Sequence, residues 1–384
     1  MNFSFASAGQ VKFGNGVSSK IDELIPNDLN RLFIVTGSSP HRHTRILDRL
    51  QLRGFEIEVF SIKKEPDIET IDQATRNARF FKTDAVIAIG GGSVIDAGKA
   101  IAALIKNKGP LLDYLENVGK GQPLTKAGVP MMAIPTTAGT GSEVTQNSVI
   151  SVPEFETKVS LRHPTMIPYW AVVDPELTYD LPLEIASYTG MDALIQCIEA
   201  FISINANPLT DGIASQGIKL AISSIIAACG PNTVKSAKTN MCAASLCSGL
   251  ALANAKLGAV HGFAGPIGGM IDAPHGAICS SLLIPVWKAN YAALSQRLPH
   301  SPQLLKMDTV ARIITGNPEA TGNYASASFE KLLADLPIKS LGKLGFGSEQ
   351  IETAVEKAAN SSSMKGNSIV LTQHELKDIL DAAI

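Results

Sequence analysis

Net charge is nearly absent from this chain: 33 Lys and Arg stand against 35 Asp and Glu, a formal balance of -2. The basic residues are spread along the sequence without clusters, so no long-range field recruits nucleic acid or an anionic membrane surface. Cysteine is scarce as well. Cys197, Cys229, Cys242, Cys247 and Cys279 are odd in number, fall in the second half and show no C-x-x-C spacing. That pattern argues against a disulfide framework or a thiolate zinc cage and predicts reduced core cysteines. Aromatic residues are only 5% of the chain, and no Arg or Lys cluster marks a site for carboxylated or phosphorylated substrates, so substrate identity is not written in the sequence. Long uninterrupted apolar runs are missing. The segment 85–105 is broken by Gly90-Gly91-Gly92, Asp96 and Lys99, which excludes an ordinary membrane span. The opening MNFSFASAGQ has neither the basic region nor the sustained apolar stretch of a secretory signal. A cytoplasmic location is expected by elimination.

What is present is a large apolar inventory. With 384 residues, 45% of them hydrophobic and 18% charged, the chain exceeds the size at which single cores stop growing, and two domains are expected. The first 180 or so residues alternate short β-branched runs with helical patterns. Residues 32–36 read as a buried strand ending at Gly37, followed by a helix near 43–53. Residues 56–60 alternate with period two, and a second helix covers 67–82. A third strand, 84–89, runs into a glycine loop and the helix 94–105, and a fourth, 131–134, ends in another polar, glycine-rich loop. This order predicts an α/β domain with an open, mostly parallel sheet, whose ligands bind at the carboxyl ends of the strands. From Leu181 the strand signals fade, and 182–203, 210–228 and 241–253 carry helical periodicity. The boundary is expected near 175–182, giving an α/β domain over 1–178 and an all-α domain over 179–384. Beyond about Ser301 the apolar spacing is helical and no constellation of chemical groups is readable.

Two loops carry chemistry. Gly90-Gly91-Gly92-Ser93 sits between a strand and a helix, where residues without side chains let the backbone approach a pyrophosphate and the first helical N–H groups face the anion. The spacing is not G-x-G-x-x-G, and a lone glycine triplet is as often a tight turn as a phosphate loop. The second loop, Pro135-Thr136-Thr137-Ala138-Gly139-Thr140-Gly141-Ser142-Glu143, follows the next strand and offers four hydroxyls in nine residues. Those suit a sugar phosphate or a nicotinamide carboxamide, and the pair of loops is a stronger signal than either alone.

The stretch from Gly90 to Lys99 and the loop 135–143 resemble the paired signatures of the iron-containing (group III) alcohol dehydrogenases. Val173-Asp174-Pro175, Thr189-Gly190-Met191-Asp192-Ala193-Leu194 and Pro274-His275-Gly276 extend the match, in register from the first strand to about Asn290. The resemblance implies a dehydroquinate synthase-like architecture, with a dinucleotide-binding α/β domain, a helical domain holding one divalent metal (Fe²⁺ or Zn²⁺) in the cleft, and a homodimer. By that resemblance Gly90, Gly91, Gly92, Ser93 and Asp96 hold the diphosphate of NAD or NADP. Thr136, Thr137, Thr140 and Ser142 line the nicotinamide and its ribose, with Lys158 nearby. Many NAD-using members place an acidic residue after the first sheet strand. This chain has Thr36-Gly37-Ser38-Ser39 there, so Gly37 and Ser38 face the adenosine ribose without a carboxylate, and Ser38, Ser39 and Arg42 could donate to a 2′-phosphate. Both cofactors remain open.

The metal site is where the resemblance is incomplete. Asp192, Gln196, Glu199 and Ser203 form a stripe on one helix, opposite the apolar Leu194, Ile198, Phe201 and Ile202. Such a stripe ordinarily means a solvated face. His261 and His275, each followed by glycine, shift the balance toward a site. Asp192, His261 and His275 match three of the family's four metal ligands; the fourth, a His, is replaced by Gln196, whose carbonyl oxygen is a weak ligand for Zn²⁺ or Fe²⁺. An extra His that members often carry near the nicotinamide is replaced by Gly265. Three arrangements are open: a mixed set including Gln196, a three-ligand site completed by water, or no metal, with the histidines acting on substrate. Survival of Asp192 and both histidines in matching contexts favours the metal. The expected activity is NAD(P)-dependent oxidation of a small alcohol or reduction of an aldehyde, with Asp192, His261 and His275 at its centre. Without a His at 265, protons travel by water or the ribose hydroxyl, with His163 and Tyr188 as further candidates. The rivals are a metal-independent reductase of an activated carbonyl, similar to the maleylacetate reductases, a lyase or synthase related to dehydroquinate synthase, and a non-catalytic nucleotide-binding protein.

Overall fold

The computed structural model describes residues 2–116, 118–155, 157–230 and 234–384. The β-branched runs of the first part form strands β1 (Gln10–Phe13), β2 (Arg31–Thr36), β3 (Glu56–Ser61), β4 (Ala85–Gly90), β5 (Met131–Pro135), β6 (Asn147–Val152), β7 (Thr157–Arg162) and β8 (Trp170–Val173). Six of them make one sheet in the order β1-β8-β5-β4-β2-β3, parallel throughout, and β6 and β7 pair as a separate antiparallel hairpin. Helices α1 (Thr44–Leu52), α2 (Ile68–Phe80) and α3 (Gly92–Lys106) connect the strands. The chain leaves β2 for β3 on one side and returns to β4 on the other. The sheet therefore has its switch point between β2 and β4, and Gly37-Ser38 and Gly90-Gly91-Gly92 follow the carboxyl ends of those two strands.

Burial follows the strand period. Phe33, Val35, Val86, Ala88 and Ala133 point to one face, against Ile71, Ile95 and Ile101 of α2 and α3. Leu32, Ile34, Ile87, Ile89 and Ile134 point to the other, against Ile46 and Leu50 of α1 and Ile21. Each such side chain contributes about 1.5–3 kcal/mol on burial, so a one-residue slip of β2 or β4 is strongly disfavoured. Helix α3 lies close on β4: a Cβ on Gly98 would fall 2.7 Å from Ala88 Cβ and 2.8 Å from Met131 Cε.

The sequence reading omits β1, β8 and the hairpin. β1 and β8 are four residues each, too short to show a period, and β1 is exposed along its whole length. The hairpin is held by a buried polar group of side chains. Lys99, 1% exposed, donates from Nζ to Thr145 Oγ1 (2.9 Å) and Asn147 O (2.5 Å) and pairs with Asp96 Oδ1 at 3.0 Å. Asp96 also accepts from Ser142 Oγ and, through Oδ2, from Val149 N–H at 2.9 Å. Asp174, of the Val-Asp-Pro motif, accepts from Ser18 N–H (3.0 Å), Ser18 Oγ (2.6 Å) and Gly16 N–H (2.9 Å), and so ties the segment after β1 to the end of β8.

By its contacts the chain divides into an α/β unit, Ser7–Thr137 with Gly141–Asp180, and a helical unit, Leu181–Ile384 with Ala138–Thr140 and the N-terminal residues through Ala6. The helical unit comprises α4 (Leu183–Ile202), α5 (Pro208–Cys229), α6 (Lys235–Ala255), α7 (Ala259–Met270), α8 (His275–Arg297), α9 (Pro302–Thr315), α10 (Gly322–Ala334), α11 (Ile351–Ala359) and α12 (Gln373–Ala383). Helix α4 packs against α5, α6, α8 and α9 and is buried on every side. Its polar stripe is therefore not a solvated face: Asp192, Gln196, Glu199 and Ser203 are all under 5% exposed. Among the described residues one helix, α5, is long and apolar enough to cross a membrane, but it packs on α4 and α6.

Two outcomes follow from this packing. Burial pushes the Glu143 carboxyl up to about 7, against the opposing pull of its own backbone amide and of Lys99. Between its ordinary value and pH 7 the folded protein keeps a proton that the unfolded chain has lost, so stability falls as pH rises through that window. Replacing Glu143 by Gln should flatten this part of a melting-temperature profile; coincident slopes for both proteins would refute the burial argument. Gly98→Ala should cost about 1–3 kcal/mol in urea denaturation through overpacking of α3 against β4.

Candidate functional site

Helix α4 carries Asp192 into the interior, and three side chains from α7 and α8 converge on it. After Ala255 the chain turns by 98° into α7, which puts His261 in the first turn of that helix. Free N–H groups at a helix start need acceptors. Glu199, two turns beyond Asp192 on α4, takes two of them, accepting from Val260 N–H at 2.7 Å and His261 N–H at 3.3 Å. Asn367 Oδ1 takes a third, from Ala259 at 3.1 Å. The same Glu199 carboxylate accepts from His261 Nδ1 at 2.7 Å. That bond fixes the tautomer and turns Nε2 toward Asp192 Oδ1, 3.2 Å away.

His275 opens α8, where Pro274 ends the preceding turn. The first turn of α8 lies so close on α4 that a Cβ on Gly276 would fall 2.1 Å from Tyr188 O. This contact sets His275 Nε2 3.9 Å from Asp192 Oδ1, with its ring 5.4 Å from that of His261. One helical turn later Cys279 faces the same point, its Sγ 3.6 Å from His275 Nε2 and 3.7 Å from His261 Nε2. The ligand-capable atoms of Asp192, His261, His275 and Cys279 all lie within 4.8 Å of one another. Three of the four residues are buried, and the His275 side chain is 35% exposed.

The electrostatics of this group call for positive charge. Burial opposes the Asp192 anion, but the His261 hydrogen bond and the charges of both histidines outweigh it and hold its carboxyl below the ordinary range. Burial likewise opposes a charged His261, yet Cys279, Asp192 and Glu199 push its pKa well up. The Cys279 thiol is lowered despite its burial, because the two histidines face it. A carboxylate, two imidazole nitrogens and a sulfur with a lowered pKa converge on one small volume. This donor set fits a divalent cation of the zinc or iron type.

The Gln196 amide nitrogen is engaged elsewhere. Nε2 donates to Thr140 O and to Ser248 Oγ, both at 3.0 Å, and Ser248 Oγ lies 2.9 Å from Gly139 O. The Tyr188 hydroxyl donates to Pro337 O at 3.3 Å, and His163 pairs through Nδ1 with Thr165 Oγ1 at 2.8 Å. A Cβ at Gly265 would meet nothing within 4 Å, so the place of the absent histidine is open space.

In the α/β unit the two loops are neighbours. Gly90 pairs with Pro135 in register, and Thr136 N–H donates to Gly90 O at 2.9 Å. Gly91 precedes α3 as its N-terminal cap, with Gly92 and Ser93 in the first turn, and Thr137 packs against Gly91. Ser38 is exposed beyond β2, next to Gly37. Asp96 and Ser142 bond to each other inside the network around Lys99, and Lys158 pairs with Glu65 at 2.6 Å. Thr140 lies in the segment that packs with the helical unit.

Two residues of the centre were not recognised in sequence. Glu199 reads only as part of a stripe, and Cys279 only as a core cysteine. Cys279 is buried, but its sulfur faces two imidazoles instead of apolar side chains, which corrects that reading. Its signal was the four-residue spacing from His275, the same spacing that joins Asp192 to Gln196.

Known proteins are similar to this chain over nearly its whole length. The sequence matches the family described as iron-containing alcohol dehydrogenase over residues 8–175, and the C-terminal domain of the same family over residues 186–384. Alcohol dehydrogenase 4 of Saccharomyces cerevisiae is 32% identical over 378 residues, covering 97% of this chain and 96% of the yeast protein. Among solved structures, the alcohol dehydrogenase from Oenococcus oeni superposes with a TM-score of 0.89 at 29% identity, over 100% of both chains. Sulfoacetaldehyde reductase from Bifidobacterium kashiwanohense, solved in complex with NAD⁺, superposes with a TM-score of 0.88 at 27% identity, over 100% of this chain and 99% of that one. The chain belongs to the iron-containing alcohol dehydrogenase family and is an oxidoreductase acting on the CH–OH group.

Proposed function

We propose that this enzyme interconverts a small alcohol and its aldehyde with NAD or NADP, using one divalent metal held in the helical domain. The observation that carries this reading is the convergence of Asp192, His261, His275 and Cys279 within 4.8 Å. A divalent ion at that point supplies Lewis-acid polarisation of the substrate oxygen. The protein's part is positioning. Glu199 holds the His261 ring by Nδ1 and leaves Nε2 available. The packing of Gly276 on α4 places His275. Asp192 contributes a carboxylate from the middle of α4, beside His261 Nε2.

A nicotinamide cofactor supplies the hydride acceptor or donor. Gly90, Gly91, Gly92 and Ser93 offer amide groups to its diphosphate at the start of α3. Thr136, Thr137 and Thr140 face the nicotinamide end, with Lys158 nearby. Gly37 and Ser38 take the adenosine ribose. Ser38 and Arg42 are exposed, and no carboxylate follows β2, so a 2′-phosphate meets no repulsion there. Asp96 and Ser142 hold the loop in place, because their polar atoms are used on each other and on the hairpin. With open space at Gly265, no side chain there takes the alcohol proton, and water or a bound cofactor's ribose hydroxyl would have to carry it. The reading includes a homodimer, by family membership, a cytoplasmic location, and α/β and helical domains divided near residues 178–179.

The test is metal content of protein purified without chelator, measured with NADH and NADPH oxidation on small aldehydes. One equivalent of iron or zinc is expected, with turnover lost on chelation and restored by metal. Turnover that persists in metal-free protein would instead favour a metal-independent reductase. Glu199→Gln keeps the shape but weakens the hold on His261. Metal affinity should fall about 10–100-fold with the circular dichroism spectrum unchanged; unaltered affinity would remove Glu199 from the positioning role.

A further inference from the structure

The family's second helical-turn ligand, a His one turn after the Asp, is Gln196 here, and the structure shows what stands in for it. We infer that Cys279 supplies the fourth protein ligand as a thiolate, so that this centre is an Asp-His-His-Cys site and Gln196 is not a ligand. The inference rests on the metal reading given above.

Three observations carry it. The first is distance. With metal–sulfur bonds of about 2.3 Å and metal–nitrogen bonds of about 2.0–2.1 Å, a tetrahedral centre holds S and N about 3.6 Å apart and N and O about 3.3 Å apart. Cys279 Sγ stands 3.6 and 3.7 Å from the two Nε2 atoms, and His261 Nε2 stands 3.2 Å from Asp192 Oδ1. The 3.9 Å separation of His275 Nε2 from Asp192 Oδ1 exceeds the tetrahedral edge, and His275, the one partly exposed member of the group, has room to approach. The second observation is the engagement of Gln196. Its amide nitrogen donates to Thr140 O and Ser248 Oγ, so that end of the side chain pegs the 138–140 segment and only the carbonyl oxygen, a weak ligand for zinc or iron, is left uncommitted. The third is charge. A divalent ion with one carboxylate, one thiolate and two neutral imidazoles is a neutral unit, the form that a buried pocket tolerates best. The ligand has in effect moved from α4 to α8, one turn after His275 instead of one turn after Asp192. A thiolate in the set favours zinc over iron(II), because softer ligands select it.

Cobalt(II) reports directly on sulfur ligation. Protein freed of metal by chelator and reloaded with Co²⁺ should bind one equivalent. It should show the intense near-ultraviolet sulfur-to-cobalt charge-transfer band together with the visible bands of a tetrahedral ion. Cys279→Ser should lose the charge-transfer band and weaken Co²⁺ binding by more than the ~10–100-fold that loss of an outer partner costs. Gln196→Ala should retain both band and stoichiometry. Stoichiometric binding without the band, or a band lost in Gln196→Ala, overturns the inference and leaves the metal site standing. Failure to bind Co²⁺ at all overturns the metal reading and this inference together. If Cys279→Ser does not fold, alkylation of wild-type protein followed by peptide mass analysis decides. Co²⁺ should protect the Cys279 peptide from iodoacetamide, and equal labelling with and without Co²⁺ counts against ligation.

Discussion

The helical unit is organised around a buried negative charge. Asp192 sits at 2% exposure in the middle of α4, and an isolated carboxylate there would take up a proton sooner than stay ionised. Its neighbours remove that option by bringing nitrogen and sulfur donors from two other helices to the same point. Much of the local architecture can be understood as the means of delivering them. The sharp turn between α6 and α7 places His261, the absence of a side chain at Gly276 lets α8 reach α4, and Glu199 satisfies the start of α7 while aiming an imidazole. A change at any of these acts on the centre through geometry, without touching a ligand.

Glu199 illustrates how a single group serves fold and chemistry together. Its two oxygens take two backbone N–H groups and a ring N–H, all from the first turn of α7. The helix start is thereby capped by a negative charge, which the helix dipole favours. The ring is at the same time locked in the tautomer with a free Nε2. The stability of α7 and the aim of His261 are thus one interaction, which explains why an ionisable residue occupies a position in a helix that is otherwise surrounded by apolar packing.

Much of this was readable from residues alone, for definable reasons. Strands β2 to β5 carry apolar and β-branched residues, with β2, β4 and β5 leading into glycine-containing loops, and their pattern survives without tertiary context. β1 and β8 were not readable because four residues do not establish a period, and β1 lies exposed at the sheet edge. The hairpin was hidden because its anchor, Lys99, is a lysine inside a helix, whose burial depends on partners some 46 and 48 residues away. At the centre, Asp192, His261 and His275 stand out by motif, whereas Glu199 and Cys279 do not. No sequence motif flags a glutamate that caps a helix 61 residues downstream, and a cysteine in an apolar run looks the same whether it faces leucine or imidazole.

The replacement of a histidine by Gln196 therefore does not stand alone. In a site of four convergent donors, removing a neutral imidazole from α4 leaves a gap in coordination, while the net positive charge that a divalent ion keeps beside a single carboxylate is unchanged. A neutral amide does not correct the charge. A thiolate on the facing helix corrects both, because it contributes a strong donor and a negative charge from a position already aligned by the His275 turn. Gln196, released from ligation, is free to hydrogen-bond to backbone and serine, and it does so with its amide nitrogen. Gln196 and Cys279, which look unrelated when read singly, belong to one arrangement once distances and charges are considered together.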